Sequence, residues 1–387
     1  MTLWTLFLGN AWVVFDLTDS SRWVGATAFA TLFPFLLSPL GGIVADRFER
    51  SQVLRVARSG SVIMTALILL LALSGAIEAW MVIVVALLQG LGRSVEMPAE
   101  QALLPNLVPT ESIANAVVLN TTSRLGSRAV GPLLAGPLLA GIGVEGAYAI
   151  ALVFAVLSYV MLFGIQHRST GGVSDLRLAL DGFREGFRYV KSNGPVLSVF
   201  AIVVAHCTLT MSFDALLPGL ADNDLNSPTN GYTILVVSVG VGAFLGTFGL
   251  AMASNRGRGM VFLVTGAASG ISPVLLGLSG SMPPGALGAA TMGASQAMFM
   301  ALAAVFLQEA VDDAVRGRVM SLYGMSAGGI MAVANFWYGA MSDEWGAPTM
   351  LIIPGLAFVA IVFASMAVGP HLRRIYGTGV MVRPEAA

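Results

Sequence analysis

Reactive side chains are nearly absent from this sequence. One cysteine, Cys207, excludes an intramolecular disulfide and a cysteine-built metal cluster. Three histidines, His167, His206 and His371, lie far apart, and none belongs to an HExxH motif. No CxxC, GxSxG or phosphate-binding GxxxxGK[S/T] stretch occurs. Basic charge is almost all arginine, with Lys191 the single lysine among 20 basic residues. Charged residues make up 11% of the chain, against roughly 25% in a soluble domain. A net charge of −1 offers no footprint for nucleic acid. These absences argue against an enzyme, and neither a cofactor nor a metal is expected.

Apolar residues fill the space, at 56% of the 387. The chain therefore reads as an all-α integral membrane protein. Twelve apolar segments can be drawn, at about 3–17, 23–44, 52–75, 80–100, 113–140, 144–165, 194–218, 230–252, 259–279, 284–310, 316–341 and 347–369. Most reach the ~20 residues that a helix needs to cross a bilayer. Alternating period-2 patterning is missing, which argues against a membrane β-barrel. The first segment is short, since Leu3–Leu17 as helix spans only about 22 Å of a ~30 Å hydrocarbon core. Two readings fit: a naturally short helix, or a recorded start that lies inside a longer first helix. No basic stretch precedes the segment, so it is not a signal peptide.

Arginine placement sets the orientation. If the turn after the second segment is cytoplasmic, so are Arg47, Arg50, Arg55, Arg58, Arg93, Arg168, Arg177, Arg184, Arg188, Lys191, Arg256, Arg258, Arg316, Arg318, Arg373, Arg374 and Arg383. The opposite turns hold Arg22 alone, beside Asp19, Glu78, Glu145, Asp222, Asp224, Asp343 and Glu344. This positive-inside bias predicts a bacterial cytoplasmic (inner) membrane protein with its C-terminus in the cytoplasm.

The longest polar stretch, 166–193, separates two six-segment halves, 1–165 and 194–370, with a tail at 371–387. Within the stretch, Leu176, Leu180, Phe183, Phe187 and Val190 fall on one helical face. Arg177, Arg184, Arg188 and Lys191 suit a helix lying on an anionic membrane surface. The turn SNRGRG, Ser254–Gly259, echoes Ala45–Arg50 of the first half and suggests an internal repeat.

GGIVADRFER, Gly41–Arg50, reads as a tight surface turn between two spans, because each of its charges costs roughly 3 kcal/mol or more in mid-membrane. It resembles the G-x-x-x-D-R-x-x-R signature of the major facilitator superfamily. More narrowly, FDLTDSS at Phe15–Ser21, PAEQALLPNLVP at Pro98–Pro109, RAVGPLLAG at Arg128–Gly136 and RGRVMSLYG at Arg316–Gly324 are similar to the bacterial drug-exporter branch that includes macrolide efflux and enterobactin export proteins. The resemblance implies a twelve-span bundle of two six-helix halves. It implies a monomer in the lipid bilayer that exports a small amphipathic molecule, by proton-coupled antiport. The sequence departs from the pattern at Ser51 and Gln52, where more basic residues are usual. Ala86 stands near the place of a buried arginine, and Ser127 stands where a glycine is common. An importer or facilitator of the same fold, and a non-transporting membrane sensor or scaffold, are the alternatives.

The resemblance gives Gly41, Gly42, Asp46, Arg47 and Arg50 a gating role, in contrast to a merely solvated turn. Gly131, Pro132 and Gly136 are candidates for a bend in the fifth span, with simple helix kinking as the plainer reading. Gly242 and Gly246 read as packing only. Arg124 and Arg128 share a face: they either snorkel to the headgroups or meet Glu96, Glu100 or an anionic substrate in a cavity. His206 and Asp214 lie on nearly one face, and an ionisable residue in a span is a functional candidate. Asp16, Asn120 and Asn335 complete the set of cavity or coupling candidates.

Overall fold

A computed structural model describes residues 1–165, 176–252 and 257–381. The described residues are helices joined by short turns. α1 is Thr2–Thr18. α2, Ser21–Leu32, passes through a tight 3-10 turn, Phe33–Leu37, into α3, Ser38–Arg47. Then come α4 Arg50–Leu73, α5 Ala79–Leu103, α6 Ile113–Ile142 and α7 Val144–Met161. α8, Leu176–Ser192, precedes α9 Gly194–Leu209 and the short α10 Leu217–Gly219. α11 Pro228–Met252, α12 Arg258–Gly277, α13 Met282–Ala310, α14 Asp313–Trp345, α15 Ala347–Val368 and α16 Pro370–Thr378 finish the chain.

The expected apolar segments fall on these helices, but not all are uninterrupted spans. Among the described residues, 8 helices are long and apolar enough to cross a bilayer: α4, α5, α7, α11, α12, α13, α14 and α15. A pair bent by 103° at Asn193, α8 with α9, raises that to 9. α1 has 17 residues and α9 has 16. α2 is parted from α3 where Pro34 sits in the 3-10 turn. Proline removes a backbone donor and sterically opposes a continuous helix.

The turn expected at Gly41–Arg50 is shorter than the sequence suggests. Helix continues through Arg47, and only Phe48 and Glu49 leave it, both with extended backbone. Apolar Ile43 and Val44 extend the apolar run of α3, and the helix ends at the exposed Arg47. The tail expected at 371–387 begins as α16. This helix buries Leu372, Ile375 and Tyr376 and lays its backbone on Gly259 of α12.

Small residues set the closest helix contacts, as they do where lipid tails remove the hydrophobic drive between helices. α11 lies against α13, and a Cβ on Gly242 would fall on the Ala290 backbone. Gly242→Val is expected to destabilise the bundle by about 1–3 kcal/mol through overpacking. Thermal unfolding of the purified variant checks it, and an unchanged midpoint would refute that seam.

The buried clusters show which end is closed. At the end bearing Asp19, Glu145, Asp222 and Asp343, one cluster joins both halves. It runs from Leu8, Val14 and Phe15 of α1 through Ile68 and Tyr148 to Leu217, Tyr232 and Met292. At the arginine-rich end there are two separate clusters. One holds Val53, Leu54, Ala99, Leu103 and Leu162. The other holds Phe200, Phe262, Phe299, Phe306 and Tyr376. Among the described residues, the large buried cluster that joins the halves lies at the acidic end.

Candidate functional site

A cavity of about 670 Å³ is lined mostly by the first half, with Asp214 and Met331 reaching it from the second. Its apolar walls include Trp4, Leu6, Phe7, Phe35, Met64 and Met331. Three arginines, Arg58, Arg93 and Arg128, and three carboxylates, Glu96, Glu100 and Asp214, also line it.

The head of the cavity is built from a broken helix. α9 ends at Leu209, and the chain resumes helix only at Leu217. Backbone groups freed inside a membrane protein need other partners. Gln296 of α13 donates to the Thr210 carbonyl at 2.7 Å. The Asn335 carbonyl oxygen on α14 accepts the Ala215 amide at 3.2 Å, and its amide nitrogen donates to the Met331 carbonyl at 3.0 Å. The Ser212 hydroxyl donates to the Cys207 carbonyl at 2.8 Å. Held between these braces, Asp214 faces Arg128 of α6 at 4.0 Å, across the two halves. The Arg128 guanidinium lies over the Trp4 indole, 4.8 Å from its centroid. Asn335, read from the sequence as a possible cavity group, is fully buried and shapes the break beside Asp214.

Lower in the cavity Arg58 is a hub. Its Nε donates to Glu96 at 2.8 Å and it reaches Glu100 at 3.5 Å. It also donates to the Ser158 hydroxyl of α7. Asn120 of α6 donates to Glu100 at 3.1 Å. Arg58, Glu100 and Asn120 line a second, adjoining cavity of about 450 Å³. The sequence placed Arg58 among the surface arginines. The missed signal is the pair of carboxylates four residues apart on α5, Glu96 and Glu100, which offers a partner to an arginine on the neighbouring helix.

The other candidates separate. His206 is fully buried away from Asp214's cavity, its ring 4.6 Å from Phe299 and 5.1 Å from Phe358. The two residues share a chain segment but not an environment, because the break in α9 turns Asp214 out. Asp16 is exposed near the end of α1 and does not line the main cavity. Gly131 packs on Trp4 and Thr5 of α1, and Gly136 on Thr233 of α11. α6 runs unbroken through Pro132 and Pro137. Gly41 lies against the Ser94 backbone of α5, and Gly42 meets open space. Arg47 is exposed, and Arg50 donates to the Ala102 carbonyl at 3.1 Å. The side chains of Asp46 and Arg124 lie outside the described residues.

The closed end carries a contact that the sequence did not suggest. Asp343, in the last turn of α14, caps the N-terminus of α2 in the other half. Its carboxylate accepts the Ser20 hydroxyl at 2.5 Å, the Ser21 amide at 2.7 Å and the Arg22 amide at 3.2 Å. Below it Gly339 sits on the Ser21 backbone and Gly25 on the Asn335 carbonyl, so α2 and α14 touch backbone to backbone.

Residues 2–374 match the family described as "Transmembrane secretion effector". The chain is 22% identical over 368 residues to macrolide efflux protein A of Streptococcus pyogenes, covering 90% of this chain and 88% of that protein. It is 27% identical over 290 residues to the enterobactin exporter EntS of Escherichia coli, covering 73% and 68%. The fold is similar to the inward-open xylose transporter XylE from E. coli, with a TM-score of 0.68, 14% identity and 97% of each chain covered.

Proposed function

The chain belongs to the transmembrane secretion effector family of the major facilitator superfamily, a family of transporters and not enzymes, and on that premise we propose that it exports a small amphipathic molecule across a bacterial inner membrane by alternating access. In this reading twelve spans form two six-helix halves, 1–165 and 194–370, joined by the linker 166–193. The basic end with the C-terminus faces the cytoplasm, and the protein acts as a monomer in the bilayer.

One observation carries the reading: a cavity to which both halves contribute is headed by Arg128 and Asp214 from opposite halves, and the large buried cluster that joins the halves lies at the acidic end. A site at the interface of two halves is where rocking motions exchange access. Asp214 is the group we assign to proton coupling, because it is the carboxylate that faces the other half across the cavity. The Gly41–Arg50 segment acts at the inner gate, and the small residues of α6 let it slide between α1 and α11. The greasy walls with methionine and phenylalanine suit an adaptable pocket.

The test is dye and macrolide accumulation in an efflux-deficient bacterial host, with and without a protonophore. The parent chain is expected to lower accumulation of at least one panel member, in a protonophore-sensitive way. Asp214→Asn is expected to cut that export by tenfold or more at equal expression, about the worth of one charge-assisted interaction. Export that survives both the protonophore and Asp214→Asn would remove the antiport assignment. Well-expressed parent protein that changes no accumulation would favour an importer or facilitator.

A further inference from the structure

We propose that the exported molecule is a zwitterion on an apolar body, its anionic group taken by Arg128 and its neighbouring cationic group by Asp214. The inference rests on the cavity being the transport site and adds the chemical class of its occupant.

The first argument is valence. Other ion pairs of this chain are closer, Arg58–Glu96 at 2.8 Å, Arg258–Glu309 at 2.6 Å and Arg318–Glu185 at 2.5 Å, with Arg58–Glu100 and Arg184–Asp181 at 3.5 Å. Arg128 and Asp214 stand 4.0 Å apart, beyond hydrogen-bond length. Neither makes a hydrogen bond to any described residue. Arg128 has five donors in a fixed fork, and Asp214 has two acceptor oxygens. Both are mostly buried, at 20% and 12% exposed. Part-buried charges without a close hydrogen bond in a membrane bundle are costly, and they mark functional positions. Their bonding capacity is directed at what enters the cavity.

The second argument is mixed charge. The lining holds three arginines and the Met1 amino group beside three carboxylates. A molecule of one sign meets like charges as well as unlike ones, and like-charge juxtaposition discriminates against it. A molecule carrying both signs can pair each group. The short Arg128–Asp214 separation fits two opposite charges on one carbon or on adjacent atoms, as in an α-amino acid head. The third argument is shape: Trp4 beneath Arg128, with Phe7, Leu6 and Met331, offers an apolar wall directly beside the charged pair.

Four dansyl probes with one common ring separate the possibilities: Nε-dansyl-lysine (zwitterion), dansylglycine (anion), dansylcadaverine (cation) and dansylamide (neutral). Binding to the purified full chain in nanodiscs is read from dansyl emission, and export of each probe is read in cells. Nε-Dansyl-lysine is expected to bind about tenfold tighter than either singly charged probe, one charge-assisted interaction more than each. Arg128→Gln should lower it to the affinity of dansylcadaverine, and Asp214→Asn to that of dansylglycine. Dansylamide binding should be unchanged in both variants, which reports an intact fold. A singly charged probe that binds as tightly as the zwitterion overturns the inference. So does an equal loss for all four probes in the variants. If the cation alone is bound and exported, the transport site stands and its zwitterion specificity falls. If no probe is bound or exported, the zwitterion assignment falls, and the accumulation panel above judges the site by itself.

Discussion

Asp343→Ala opens the acidic end of the bundle. The carboxylate of α14 is the polar tie between the two halves there, and it satisfies two backbone amides at the start of α2 together with the Ser20 hydroxyl. A helix N-terminus has orphan N–H groups and a partial positive charge. Losing a capping side chain costs about 0.5–2 kcal/mol. An anion at that position adds about 0.3–1 kcal/mol when exposed. These groups pair only while the halves touch at that end, so the loss falls on one state of the two. A loss near 1.4 kcal/mol is about a tenfold change in the ratio of states. Spin labels at engineered cysteines replacing Thr18 and Glu344 measure the gap, since the native Cys207 is buried. The variant should populate a longer distance that the parent lacks, and Asp343→Asn, whose amide oxygen still accepts, should lie between them. An unchanged distance distribution would show that apolar packing alone shuts this end.

Arg58→Met removes the hub of the lower cavity. Glu96 and Glu100 stand four residues apart on one face of α5, with side chains 14% and 38% exposed. Without the guanidinium they face each other, and like charges at that spacing repel. Removing one partner of a buried pair costs about 3–5 kcal/mol. The partial exposure of this site reduces the expected loss to about 2–3 kcal/mol. A fall in the thermal midpoint and loss of export are expected together. Adding Glu96→Gln should restore part of the stability, because one carboxylate fewer needs a cation. If Arg58→Met melts with the parent, or if Glu96→Gln only lowers stability further, the hub assignment is wrong.

The fold was legible where periodicity and length speak for themselves. Apolar runs of about twenty residues parted by short charged turns leave few alternatives to a helical membrane bundle. Breaks inside helices were less legible. The segment drawn as 23–44 is parted into α2 and α3 at Pro34. The gap from Leu209 to Leu217 is produced by Gln296 and Asn335, distant residues that offer the backbone other partners. Asp214 and Arg128 were each visible as charges in apolar surroundings, yet nothing local said that they face one another. His206 shows the converse: an imidazole in a span reads as functional, and the fold encloses it among Phe299 and Phe358. The cap of α2 by Asp343 links residues 322 positions apart, and no local pattern announces it.

α14 carries more than the cap. Near its other end Arg318 pairs with Glu185 of α8 at 2.5 Å, and Gly182 and Gly186 let α8 lie down on that same arginine. The two attachments sit on one uninterrupted helix of 33 residues, about 50 Å long. A small molecule that wedges α8 away from Arg318 is therefore expected to act on the same helix that carries the cap, away from the residues that line the cavity.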